Sequence, residues 1–155
     1  MPEILSEKKK ELIERIGVFH EQRGMQPLMG RIFGLLMVLD EAEATFEEIV
    51  DYLSVSKSAV SNALNFMQAQ NKVRYKTKPG KRKRYFYLKI DDWENDMQQQ
   101  IEEITKGAHF LNEVIAARKN EKPEFTRQLQ ELCEFLEYVK TKIPNLFEGF
   151  RKQKR

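Results

Sequence analysis

The chain has 155 residues, 41% of them apolar and 33% charged, which is enough apolar material for a core and a charged share typical of long solvated helices. No apolar run approaches the ~18 residues of a membrane span. The opening "MPEILSEKKKEL" lacks a signal-peptide core, and the single cysteine, Cys133, excludes an internal disulfide, so a cytoplasmic setting with no membrane partner is expected. The net charge of +3 hides a segregation. Residues 1–53 carry 6 basic and 11 acidic side chains, residues 54–90 carry 10 basic and none acidic, and residues 91–155 carry 11 and 13. An acid-free block between two acidic flanks is the electrostatic footprint of a polyanion-binding surface, although a solvated charge run is the commoner source of basic clusters.

In chain order, residues 4–22 read as a helix with Leu5, Leu12, Ile16 and Phe19 in a stripe, stopped at Gly24. "PLMGRIFGLLMVLD" begins with Pro27 at a helix start and is apolar nearly all round, which predicts a buried helix. Gly30 and Gly34 share one of its faces. Each costs about 1 kcal/mol relative to alanine there, which is explicable if another helix backbone comes close, or as ordinary tolerance in a core. Thr45 and Glu48 form a T-x-x-E capping box ahead of a short helix over 46–53 with Phe46, Ile49, Val50 and Leu53 inward. After a turn at Ser54–Val55, Ser56 caps a helix from Lys57 to about Gln70. Val60, Ala63, Leu64 and Met67 form its inner face, with Lys57, Ser58, Ser61, Asn62 and Asn65 opposite.

From Asn71 the period changes to two. "VRYKTK" and "KRYFYL" flank Pro79–Gly80, predicting a hairpin over 73–88 with Lys76, Lys78, Lys81, Arg82, Lys83 and Arg84 at its tip. Asp91 or Asp92 then starts a long helix to about Lys119, striped by Met97, Ile101, Ile104, Ala108, Leu111 and Ile115. A last helix opens at Pro123, striped by Phe125, Leu129, Leu132, Leu136, Val139 and Ile143. Both stripes have heptad spacing and need cover from each other, from the first helix or from a second copy of the chain. The tail after Pro144 is expected to fray.

Two short helices joined by a tight turn and followed by a basic hairpin describe a winged helix-turn-helix. The fold class is therefore mainly α with a small β-hairpin wing. A helix between two walls of phosphate excludes carboxylates and favours short side chains that donate and accept hydrogen bonds. Base readout is assigned to Ser58, Ser61, Asn62 and Asn65, and phosphate anchoring to Ser56 and Lys57, where the helix N-terminus adds free N–H groups. Lys78, Lys81, Arg82, Lys83 and Arg84 supply the wing, with Arg82 the candidate for minor-groove insertion. Tyr85, Phe86, Tyr87 and Leu88 read as strand packing.

"GRIFGLLMVLD", "FEEIVDYLSVSKSAVSNALNFMQAQNKV" and "KPGKRKRYFYL" resemble the GbsR-like branch of the MarR-type bacterial transcriptional regulators. The resemblance implies a homodimer on a pseudo-palindromic operator in double-stranded DNA, usually a repressor and in some members responsive to a small molecule. It implies a dimerisation helix over 1–24, a winged helix-turn-helix over 25–90 and a helical dimerisation region over 91–155. The interface is then expected at Leu12, Ile16, Phe19, Ile104, Leu111, Leu129, Leu132, Leu136 and Val139. In the family the residue before the wing arginine is typically acidic; here it is Lys81. No cofactor follows from the resemblance. Phe19, Trp93 and Phe110 are aromatics suited to a cage for a quaternary amine, with core packing the plainer reading. No catalytic or metal-binding motif is present: His20, His109 and Cys133 stand apart, and Asp91, Asp92, Glu94 and Asp96 read as a helix start. The rival reading is a winged helix used for protein docking or RNA binding.

Overall fold

The computed structural model describes residues 3–154 and divides into two compact units, Met1–Ile90 and Asp91–Arg155. The first holds α1 (Glu7–Glu21), α2 (Pro27–Val38), β1 (Glu43–Thr45), α3 (Phe46–Leu53), α4 (Lys57–Ala69), β2 (Val73–Thr77) and β3 (Arg84–Leu88). The second is a helical hairpin of α5 (Trp93–Ala117) and α6 (Pro123–Gln153).

In the first unit α1 starts later than its apolar pattern, because the Ser6 hydroxyl accepts from the Lys9 N–H and caps it. Its buried positions are Ile13 and Gly17; Leu12 and Ile16 are half-buried, and Phe19 is exposed. The helix α1 lies against α2 at the two glycines. A Cβ on Gly30 would stand 2.9 Å from the Gly17 carbonyl oxygen, and one on Gly34 3.1 Å from that of Ile13. Another backbone does approach this face, and glycine is what admits it. Met29, Ile32, Leu35, Leu36 and Leu39 of the α2 region meet Ile49, Val60, Ala63, Leu64, Met67, Val73, Phe86 and Leu88 in one core.

The capping box at α3 forms as expected: Glu48 N–H donates to the Thr45 hydroxyl, and Thr45 N–H to the Glu48 carboxylate at 2.7 Å. Ser54 closes α3 in the left-handed region at φ 52°, redirecting the chain into α4 with no glycine present.

The hairpin is part of a larger sheet. β1, too short to announce itself in sequence, pairs antiparallel with β3, giving the order β1-β3-β2. Lys78 C=O accepts from Lys81 N–H at 3.0 Å, and Gly80 takes φ 73°. Pro79 followed by a positive-φ glycine is the chemistry of a type II turn. Lys76 lies inside β2, paired with Tyr85, and not at the tip. Its strand register places it one row back from the turn.

In the second unit Thr105 and Ala108 of α5, with Thr126, Cys133, Ile143 and Phe147 of α6, form the buried seam. Ile101, Leu111, Ile115, Leu129, Leu136 and Val139 are half-buried. Ile104 and Leu132, expected in the stripes, are 65% and 46% exposed. Thr105, Ala108 and Cys133 are the small buried residues of the seam, Ile143 and Phe147 the large ones, and the other apolar residues fall beside it. The Cys133 thiol donates to the Ala108 carbonyl at 3.5 Å. Pro144 does not end the last helix: α6 continues to Gln153 with Pro144 inside it. The proline removes one N–H, and both Pro144 and Lys140, whose carbonyl loses that donor, are exposed, so water can serve the oxygen. The remainder of the expected frayed tail, Arg155, lies outside the described residues. The open end of this hairpin is tied by an Arg151–Glu94 ion pair at 2.7 Å and an edge-to-face contact of Trp93 with Phe150.

Candidate nucleic-acid interface

Burial of Val60, Ala63, Leu64 and Met67 fixes the roll of α4. The same roll turns Lys57, Ser58, Asn62 and Asn65 to solvent and leaves Ser61 half-buried. The helix carries no acidic residue in its first turn, so nothing opposes an anion at its positive end. Ser56 is the N-cap, its hydroxyl accepting from Ala59 N–H at 3.2 Å and lying 3.2 Å from the Ser58 hydroxyl. Ser56 thus has a structural task beside the anchoring role assigned from sequence. Phe66 is 47% exposed toward the C-terminal half of α4, past the polar readers.

The wing divides its cations into two sets. Lys78 pairs with Glu43, as does Lys76 at 2.6 Å, and Lys83 lies 3.6 Å from Glu47. The Arg84 guanidinium sits over the Tyr75 ring, 4.6 Å from its centroid. Lys81 and Arg82, flanking the turn, are exposed and enter no ion pair with the described residues, and neither does Lys57. Ten positive charges and no carboxylate along residues 54–90 therefore overstate the local excess, because the fold brings Glu43 and Glu47 to the wing. Sequence reading missed both: they stand in the acidic run "EAEATFEE", more than thirty residues upstream, and β1 is too short to show a strand period.

Burial pulls the Glu43 carboxyl upward, but the hydrogen bonds and charges of Lys76 and Lys78 outweigh it and hold Glu43 below the ordinary carboxylate range. Lys78 is raised, first by its hydrogen bond to Glu43.

Trp93 and Phe110 of one chain do not meet in an aromatic cage. Trp93 and Phe110 lie seventeen residues apart on α5, about 25 Å along a helix axis, and Trp93 packs on Phe150. Among the described residues no three His, Cys, Asp or Glu side chains gather as a metal-binding group, and no helix is long and apolar enough to cross a membrane.

The helical hairpin, residues 91–153, matches the family model of the MmpR5-like MarR family transcriptional regulators. The HTH-type transcriptional regulator MmpR5 of Mycobacterium tuberculosis (strain ATCC 25618 / H37Rv) is 23% identical over 133 residues, spanning 86% of this chain and 81% of that protein. A crystal structure described as that of a transcriptional regulator shares the fold of this chain, with a TM-score of 0.69 and 21% identity over 94% of this chain and 99% of the other. The family match falls on α5 and α6, whereas the likeness of fold also takes in α4 and the wing.

Proposed function

We propose that the protein is a cytoplasmic, sequence-specific regulator that binds a pseudo-palindromic operator in double-stranded DNA as a homodimer. The carrying observation is the pairing of an acid-free, exposed face on α4 with unpaired cations at the wing turn. Ser58, Ser61, Asn62 and Asn65 read base edges. Lys57, with Ser56 and the α4 N-terminus, holds phosphate. Lys81 and Arg82 lead the wing contact, with Lys83 and Arg84 beside them and Lys78 held back by Glu43. Symmetry places two α4 helices ~34–36 Å apart, one turn of DNA.

Dimerisation is supported by apolar side chains that one chain leaves uncovered: Ile104, Phe110 and Val114 on α5, and Leu132, Phe135 and Leu146 on α6 are each at least 46% exposed. Leu12, Ile16, Leu111, Leu129, Leu136 and Val139 are half-buried and form the margin of the proposed interface, with Phe19 exposed on α1. We retain the boundaries 1–24, 25–90 and 91–155 as functional segments, with α1 serving both as the packing partner of α2 and as a dimer element. The Ser56–Leu64 and Pro79–Tyr85 runs favour the GbsR-like branch, while the hairpin favours MmpR5-like members. A repressor that loses operator affinity when a small molecule selects another dimer spacing follows by linkage. A role other than enzymatic follows from the relatives being regulators.

Titrating duplex DNA at several salt concentrations tests this reading. If the dimer neutralises about 8 phosphates, log K falls against log salt with a slope of about −7. A flat response, or preference for single-stranded RNA, would replace it with protein docking or RNA binding.

A further inference from the structure

Glu43 is an acid in an awkward place. It sits on a strand beside the wing, its side chain is 7% exposed, and both oxygens are taken by lysines whose side chains are 53% and 42% exposed. The register explains the arrangement. Glu43 opposes Tyr87 across β1 and β3, and Tyr87 opposes Arg74 across β3 and β2. Lys76 opposes Tyr85 in the neighbouring row. Directly opposed residues share a face, so these side chains form the outer layer of the sheet, away from Ala44, Val73, Phe86 and Leu88 in the core. The Lys76 ammonium is 5.6 Å from the Tyr87 ring centroid, and that of Lys78 is 4.2 Å from the Tyr85 centroid. Each lysine is therefore held twice, by a carboxylate and by an aromatic face.

We propose that Glu43 is a positioning and specificity-determining residue of the wing: it withholds Lys76 and Lys78 from phosphate, so that the turn cations Lys81 and Arg82 alone lead the wing into DNA. This rests on the reading of α4 and the wing as the DNA-binding surface. The physical consequence is a trade between attraction and discrimination. Phosphate contacts add affinity for every sequence equally, while base contacts and groove shape distinguish sequences. Two mobile lysines beside the wing would raise binding to random DNA and let the wing settle in many registers. A buried acid that ties them down lowers that background. The lysine before Arg82 makes the same point from the other side. No acid stands next to the turn arginine in sequence, and the restraint on wing charge comes from β1 instead.

The test uses the wild-type homodimer and its Glu43→Gln variant, which keeps the shape of residue 43 but removes its charge and turns one acceptor oxygen into an N–H donor. Each binds a random-sequence duplex and a selected promoter duplex across a salt series, with thermal melts confirming the fold. The substitution frees Lys76 and Lys78 in each subunit, four cations per dimer, so the log–log salt slope on random DNA steepens by about 3–4. Random-duplex affinity rises roughly tenfold at physiological salt, and promoter affinity rises less. An unchanged or shallower slope in a folded variant, with wild type binding normally, overturns the proposal while leaving the DNA reading intact. Wild type that ignores duplex overturns both. Amine-reactive labelling of wild type, read by mass spectrometry with and without promoter duplex, is independent of how the variant folds. DNA should protect Lys57 and Lys81 and leave Lys76 and Lys78 labelled as in the free protein. Protection of Lys76 and Lys78 equal to that of Lys81 contradicts the proposal.

Discussion

The double variant Leu132→Lys/Phe135→Lys should run as a folded monomer and lose operator binding. Both side chains are exposed in one chain, at 46% and 60%, so lysine there leaves the α5–α6 seam undisturbed. In the proposed homodimer their cover is a second copy. Burial of a leucine or phenylalanine is worth about 1.5–3 kcal/mol, and four such sites are lost across a two-fold interface. Lysines buried at the contact would add the cost of unpaired charge. Dimerisation should weaken by ~10⁴-fold or more, since ~6 kcal/mol already gives that factor. Light scattering gives the mass and circular dichroism the fold. Leu136 is a poorer choice because it is half-buried within the hairpin, where lysine would confuse unfolding with dissociation. A native-mass dimer carrying both lysines would show that this stripe is not the interface.

Asn62→Ala should abolish most discrimination between operator and random DNA while leaving dimer mass and melting temperature near wild type. Asn62 is exposed, lies between Ser58 and Asn65 on the outer face of α4, and belongs to neither the cap nor the core. A bidentate side-chain contact to a base edge is worth about 1–3 kcal/mol of discrimination, and a two-fold dimer makes it twice. The operator-to-random ratio should therefore fall by roughly 30-fold or more. Competition binding with both duplexes at one salt concentration measures it. The salt slope should stay as in wild type, because no phosphate contact is removed. An unchanged ratio would move base readout to Ser58, Ser61 or Asn65.

Much of the fold is legible because local chemistry and long-range packing agree. Thr45 with Glu48, Ser56 before Lys57, and Pro79–Gly80 each carry a boundary signal in two to four residues, and each acts as the residue types require. The Gly30–Gly34 face announces a close backbone, which proves to be that of α1. Signals fail where partners are distant or elements short. The strand β1 has three residues and no period of its own, so the third strand and Glu43 are invisible until the sheet is assembled. Counting charges along residues 54–90 cannot see an acid that arrives from residue 43. The heptad stripes locate α5 and α6 but not their roll. Thr105 and Cys133 take the seam, while Ile104 and Leu132 turn outward, because small residues there let the two helices pack. Proline inside a helix reads as a stop in sequence, yet an exposed position at Pro144 lets α6 continue.

Amide chemical shifts of the isotopically labelled dimer, followed as a promoter duplex is added, test the central claim at residue resolution. We expect the largest changes at Lys57–Asn65 and around the turn from Lys78 to Arg84, with the buried α5–α6 seam little affected. Changes confined to other surfaces, with α4 and the wing turn silent at saturating duplex, would contradict it.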